Sequence, residues 1–331
     1  MVSMSRYAEA HKNAAGAGDA RPTALQIIKD EGREGTMKDK VFLMTGASAG
    51  IGVETARALS LTGAKVFLAV RSLEKGQKAC ESFLEPGRVE LLQMDTSDMS
   101  SVRAAAANFL QKSPTLNLLV CNAAVMRIPT REETAEGFEM QLATNYLGHF
   151  LLFDLLKDAM LKGSTPEFNS RLVHVSSSGH HCSEIEFDDL QLKKPGVYDG
   201  WKGYGQSKLA QIYMANYVDR NFGPRGLHAL SLMPGGIMTN LQKHVTEEEM
   251  QGWSIPEIQK FLKSVEQGAA TTVYAAVSRE WEGKGGKYLE DCQVAKPEPI
   301  IETMVGVKPY AYDEAKEDRL WELTRQTLGL Q

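Results

Sequence analysis

Short apolar runs alternate with amphipathic stretches of helical length from residue 38 onward, and this alternation narrows the possible architectures most. The runs at 41–45, 66–70, 89–94, 116–121, 172–176 and 228–232 are bounded by Gly, Pro, Asp or Asn. Helical stretches fall near 51–62, 74–84, 99–112, 134–161 and 203–222. Such an order joins parallel strands by helical crossovers. The unbroken apolar character of the runs fits strands covered on both faces. The expected fold is therefore α/β: a doubly wound parallel sheet with helices on both faces. The 331 residues show neither an internal repeat nor a convincing linker, so one main domain is expected over 37–331. Residues 1–36 read as an extension, disordered at its start because 14–18 offers nothing to bury. A short helix near 23–31 docks on the main domain.

The first apolar run passes straight into Thr45-Gly46-Ala47-Ser48-Ala49-Gly50-Ile51-Gly52. Glycines that follow a strand and open a helix allow a tight turn and a close approach of backbone to a pyrophosphate, with the helix's free amides aimed at the anion. Gly46, Ser48, Gly50, Ile51 and Gly52 are the candidate phosphate-binding residues. The bland reading, a glycine-rich turn with no ligand, is the minority one in this strand–turn–helix context. The spacing is one residue longer than Gly-x-Gly-x-x-Gly.

Charge and cysteine content remove other classes. A net charge of −5, with both signs mixed along the chain, leaves no basic block to track nucleic acid. No run reaches membrane-helix length, and the most apolar helical candidate, 147–156, is broken by His149 and Asp154. Cys80, Cys121, Cys182 and Cys292 have no paired spacing, so a reducing, cytoplasmic setting is the expectation. His180-His181-Cys182 lacks a partner pair at zinc-like spacing and reads as a polar loop, so no metal is expected.

Tyr204 and Lys208 stand four apart in a helical stretch, on one face. A phenol has an ordinary pKa near 10, and a neighbouring ammonium lowers it toward the range useful for proton transfer. The run 172–176 ends in Ser176, Ser177 and Ser178, hydroxyls that can hold a substrate oxygen. The stretches Cys121-Asn122-Ala123-Ala124, Asn145-Tyr-Leu-Gly-His, Val175-Ser-Ser-Ser, Tyr204-Gly-Gln-Ser-Lys208 and Pro234-Gly-Gly-Ile-Met-Thr239 follow in order. Together with the glycine loop they resemble the short-chain dehydrogenase/reductase family over nearly all of the chain from residue 38. The sub-pattern is similar to the retinol-dehydrogenase and WW-domain-oxidoreductase branch, and closest to soluble fungal members. Ala124 departs from the family's Asn-Ala-Gly.

The resemblance implies a Rossmann-type fold and alcohol–carbonyl chemistry on a nicotinamide dinucleotide. Tyr204 would be the acid/base, Lys208 its modulator, Ser177 the oxygen-positioning hydroxyl with Ser176 a live runner-up, and Asn145 the holder of a water that links Lys208 to solvent. Asn122, Ile237 and Thr239 would line the cofactor, and Asp95 its adenine pocket. No acidic residue follows Val70. Arg71, with Lys75 one helical turn on, is read as a 2′-phosphate site favouring NADP(H) over NAD(H); the competing reading is a solvated loop. Substrate choice is expected in the loops near 179–201, through Phe187, Tyr198 and Trp201, and 240–264. In the second loop Thr246 and Glu249 form a capping-box pattern, and Trp253, Phe261 and Leu262 form a lid. A medium-sized, largely apolar small molecule is expected as substrate, and homodimers or homotetramers are common in the family. The alternatives are an epimerase or dehydratase that uses the hydride transiently, and a dinucleotide-responsive binding protein without turnover.

Overall fold

The computed structural model describes residues 6–297 and 305–330. Its strands are β1 (Val41–Thr45), β2 (Lys65–Val70), β3 (Val89–Gln93), β4 (Leu118–Cys121), β5 (Ser170–Val175), β6 (Leu227–Met233), β7 (Lys287–Glu290) and β8 (Gln293–Val294). They form one eight-stranded sheet in the order β3-β2-β1-β4-β5-β6-β7-β8. All pairs are parallel except the terminal hairpin of β7 and β8. The order reverses between β1 and β4. This is the switch point outside which ligands bind in open α/β sheets.

The helices are α1 (Ala8–Lys12), α2 (Ala24–Asp30), α3 (Ile51–Ser60), α4 (Leu73–Cys80), α5 (Met99–Lys112), α6 (Met140–Leu142), α7 (Gly148–Gly163), α8 (Gly200–Phe222), α9 (Glu247–Trp253), α10 (Pro256–Gln259), α11 (Val265–Gly268), α12 (Ala270–Val277) and α13 (Glu314–Thr327). Every residue of β4 and β5 is buried, as unbroken apolar runs require when helices cover both faces. One core, built around Phe67, Phe109, Leu151 and Leu209, lies on one face of the sheet. The other, around Phe42, Leu68, Val120 and Val273, lies on the opposite face. Asp98 caps α5 through Ser100 and Ser101, which fixes where the helix begins.

Two stretches differ from expectation. The helix foreseen from 134 begins only at Met140, because Gly137 (φ 82°) turns the chain and Thr134 N–H donates to the Phe138 carbonyl. A π-helical turn, Ala143–Leu147, then joins α6 to α7. The segment 14–18, expected to bury nothing, is bonded to the body of the protein: Gly16 N–H donates to the Lys260 carbonyl (3.0 Å) and Gly18 N–H to Gln267 Oε1 (2.9 Å). Residues 1–5, where the expected disorder starts, lie outside the described residues. At the other end α13 packs on the main body, with Trp321 stacked on Tyr217 of α8 (4.0 Å between centroids) and tilted against Phe150 of α7.

Candidate active site

A cavity of about 950 Å³ opens at the C-terminal ends of the central strands. One wall is the turn between β1 and α3. Gly46 takes φ +76°, and a Cβ built on Gly52 would lie 2.1 Å from the Gly46 carbonyl oxygen, so turn and helix pack closer than any side chain permits. The amide end of α3 and the residues Ser48, Gly50 and Ile51 line the space. Asn122 braces the turn from the end of β4, its Nδ2 donating to the Thr45 carbonyl (3.0 Å). Thr45 Oγ1 accepts from the amides of Asn122 (3.0 Å) and Ala123 (2.9 Å) and bonds His149 Nε2 (2.8 Å). Since His149 Nδ1 faces the Asn145 carbonyl (2.9 Å), which can only accept, Nδ1 carries the proton and Thr45 donates to Nε2.

Arg71 and Asp95 line the same cavity, as do Ile237 and Thr239; Lys75 does not. Ser72 caps α4 by accepting from the Lys75 amide, and the Lys75 side chain stands exposed on that first turn. Asp95 accepts from Ser97 N–H (2.9 Å) and Oγ–H (2.7 Å), while the helix cap is Asp98. A backbone approach too close for a Cβ, a free helix N-terminus and an elongated cavity reaching Arg71 together suit a dinucleotide.

Ser177, Tyr204 and Lys208 meet across the cavity from the turn. The Ser177 hydroxyl faces the Tyr204 phenol and lowers its pKa, and it accepts from Gly179 N–H (2.9 Å). Ser176 is spent on structure: its hydroxyl is buried and donates to the Lys208 carbonyl (2.8 Å). Burial pushes Tyr204 up to about 12, against a lowering by the Ser177 bond, and pushes Lys208 down to about 7. The Lys208 ammonium sits over the ring face, 5.5 Å from its centroid, and desolvation weakens its own charged form.

Asn145 does not line the cavity. It is fully buried, with Oδ1 accepting from Val125 N–H (2.8 Å) and Nδ2 donating to the Val125 carbonyl (2.9 Å) and Ser207 Oγ (2.8 Å). Both Nδ2 hydrogens are thus used, while Oδ1 accepts from one donor and keeps a lone pair. A residue that sequence reasoning missed joins Asn145 to Lys208: Lys208 Nζ donates to Gln211 Oε1 (3.1 Å), and Gln211 Nε2 donates to the Asn145 carbonyl (2.8 Å). Gln211 lies three residues beyond Lys208 in the same helix, the only signal that could have marked it. Lys208 Nζ also donates to the Val175 carbonyl (2.8 Å).

The substrate side is only partly as foreseen. Trp201 lines the cavity, but Phe187 and Tyr198 do not. The Tyr198 hydroxyl donates to the Ile128 carbonyl (2.9 Å), and Phe187 lies under Arg319. The loop near 240–264 supplies Leu241, Trp253, Ile258, Phe261 and Leu262 to the cavity. Thr246 and Glu249 form the capping box at α9. Glu249 also accepts from Trp201 Nε1 (2.6 Å) and pairs with Arg127 (3.1 Å), tying the lid to α8 and to the loop after β4. Outside this cavity, His180 Nδ1 bonds the Ser177 carbonyl (2.7 Å) and Nε2 accepts from Lys308 N–H (3.3 Å); His181 Nε2 faces the Gly306 carbonyl (3.0 Å).

Fold and site together define an oxidoreductase that uses a nicotinamide dinucleotide, and the chain belongs to the short-chain dehydrogenase/reductase family. The short chain dehydrogenase model matches residues 40–187. Among relatives, the short-chain dehydrogenase/reductase prx1 of Penicillium roqueforti is 55% identical over 98% of this chain and 95% of its own length. Human retinol dehydrogenase 11 is 37% identical over 88% of this chain and 86% of its own. A solved structure of an uncharacterized protein from Mycobacterium paratuberculosis superposes with a TM-score of 0.70 at 28% identity, covering 94% of this chain and 99% of that one. Among the described residues no helix is long and apolar enough to cross a membrane.

Proposed function

We propose that this protein is an NADP(H)-dependent carbonyl reductase or alcohol dehydrogenase acting on a medium-sized, largely apolar small molecule. The observation that carries the reading is the convergence of Ser177, Tyr204 and Lys208 in the cavity that the glycine turn opens. Gly46, Ser48, Gly50, Ile51 and Gly52 would hold the pyrophosphate, Asp95 and Asn122 the adenine side and the turn, and Ile237 and Thr239 the nicotinamide end. Arg71, with no carboxylate beside it at the end of β2, favours a 2′-phosphate. When bound, the reduced dinucleotide supplies a hydride to the carbonyl carbon.

The chain's own residues handle the oxygen and the proton. Ser177 donates a hydrogen bond to the substrate oxygen beside Tyr204. Tyr204, kept protonated by burial, gives its proton to that oxygen as negative charge develops there. Lys208 is fixed by the Val175 carbonyl and the Gln211 amide, and Asn145 acts through its carbonyl by orienting Gln211.

Met126, Trp201, Met238, Trp253 and Phe261 make the substrate side apolar, and Met238 and Phe261 remain exposed at its rim, which supports an apolar substrate. Intact proton-transfer groups favour turnover over a binding-only role. Cys80, Cys121, Cys182 and Cys292 are all free thiols, in keeping with a cytoplasmic setting. The test is reduction of a series of alkyl phenyl ketones by NADPH. Stoichiometric alcohol formation with loss of NADPH absorbance is expected. No alcohol and no loss of NADPH absorbance across the series would contradict the reading.

A further inference from the structure

The N-terminal segment contributes to the cavity wall: His11, Ala14 and Arg21 line it beside Phe261 and Leu262. Arg21 is buried although it carries a permanent charge. Four of its five N–H groups have partners: Nε donates to Asp19 Oδ1 (2.8 Å), one terminal nitrogen to the Phe261 carbonyl (3.0 Å), and the other to the carbonyls of Gly16 (3.0 Å) and Leu262 (2.6 Å). The carbonyls of Phe261 and Leu262 lie outside any helix or named strand, and Arg21 supplies their donors. A planar fork with N–H groups in fixed directions reaches them from one side chain. The strap is itself pinned, since Gln267 Nε2 donates to the Asp19 and Arg21 carbonyls (3.1 Å each).

A second tie meets the same stretch from the other side. Lys263 Nζ bonds Asp291 Oδ1 (2.7 Å) and the Pro234 carbonyl (3.1 Å), and His11 Nδ1 lies 3.2 Å from the same Asp291 oxygen. Asp291 and Cys292 both adopt positive φ, 51° and 55°, at the β7–β8 turn. Such backbone persists in residues other than glycine only where surrounding structure holds it. The lid's trailing edge is thus gripped between the strap at 11–21 and this turn.

We propose that Arg21 is a positioning residue for substrate binding: it holds the 260–262 backbone so that Phe261 and Leu262 form a fixed wall of the substrate pocket, making the N-terminal segment part of the substrate site. The inference rests on the reading of this cavity as a substrate pocket. Because Arg21 bonds end at Leu262, while Lys263 keeps the 234–236 backbone in place, the cofactor side is expected to feel the change least.

The test compares full-length wild type with Arg21→Met and Arg21→Lys by hydrogen exchange, NADPH fluorescence titration, and steady-state reduction of alkyl phenyl ketones of increasing chain length. In Arg21→Met, amide protection over 256–263 should fall about tenfold or more while the sheet stays protected, given charge-assisted bonds to several carbonyls. KM for the longer ketones should rise about tenfold, with kcat and the NADPH Kd changed less than about threefold. Arg21→Lys should fall between the two, and it serves as the test if the Met variant does not fold. Unchanged protection over 256–263, or a loss of kcat with KM unchanged, would overturn the proposal. If wild type binds NADPH but reduces no ketone of the series, the reductase reading fails, and the strap is then judged on exchange alone.

Discussion

Along one wall of the cavity, from Gly46 to Gly52, the working surface is backbone: a positive-φ turn, helix amides, and a contact that leaves no room for a Cβ. Along the facing wall side chains do the holding. Glu249 joins Trp201 and Arg127, Arg21 reaches the carbonyls of 261 and 262, and Lys263 meets Asp291. The first arrangement lies within seven consecutive residues. The second draws on segments as far apart as Arg21 and Asp291. A backbone cradle constrains residue type at fixed spacing because only glycine fits it. A clamp of charged side chains can be rebuilt from other donors and acceptors. The two walls should therefore respond differently to substitution, and Tyr204, where they meet, should respond most.

Tyr204→Phe is expected to lower turnover by about a thousandfold, the usual range for loss of a general acid, with NADPH affinity kept. Steady-state reduction beside a fluorescence titration checks both halves. On the backbone wall, Gly52→Ala must push α3 away from Gly46; overpacking of this kind costs about 1–3 kcal/mol. Thermal melting should show that loss, and NADPH binding should weaken along with it. Arg71→Ala should weaken NADPH about tenfold to a hundredfold, the worth of a charge-assisted contact, and leave NADH binding unchanged. Equal losses for both dinucleotides would make Arg71 a general part of the wall.

On the side-chain wall the effects should be smaller. Glu249→Gln keeps an acceptor for Trp201 but loses the charge facing Arg127, so substrate KM should rise by about threefold, consistent with a partly exposed ion pair. Burial alone would raise the Glu249 pKa, but the bonds from Thr246, Trp201 and Arg127 outweigh it and hold the carboxyl at about 2. A carboxyl with a depressed folded pKa keeps its contribution above the ordinary carboxylate range and loses it as pH falls toward 2. The tryptophan emission of the lid should thus stay constant from neutral pH down to mildly acidic solution. A transition near pH 5 would contradict the latch.

The same contrast explains what could be read ahead of the structure. β1 and α5 fall where their patterns place them, because β1 is an apolar run closed by glycine and α5 starts at a capping Asp98. The glycine turn and the Tyr204–Lys208 pair are local, and they were legible. α12 was not: every residue from Ala270 to Val277 is buried, so the helix has no polar face and no 3.6-residue period to detect. β7 and β8 are four and two residues long, too short for alternation to mark. The roles of Gln211, Arg21 and Asp291 depend on contacts that only the tertiary fold creates. Phe187 and Tyr198 misled because an aromatic residue in a loop carries no sign of which way it faces.

The most direct test of the account is a parallel fluorescence titration of the purified protein with NADPH and NADH. Binding of NADPH about tenfold or more tighter than NADH is the predicted result, with the difference carried by one charged contact. Equal or tighter binding of NADH, or binding of neither, would contradict the assignment of this cavity to an NADP(H)-dependent reductase.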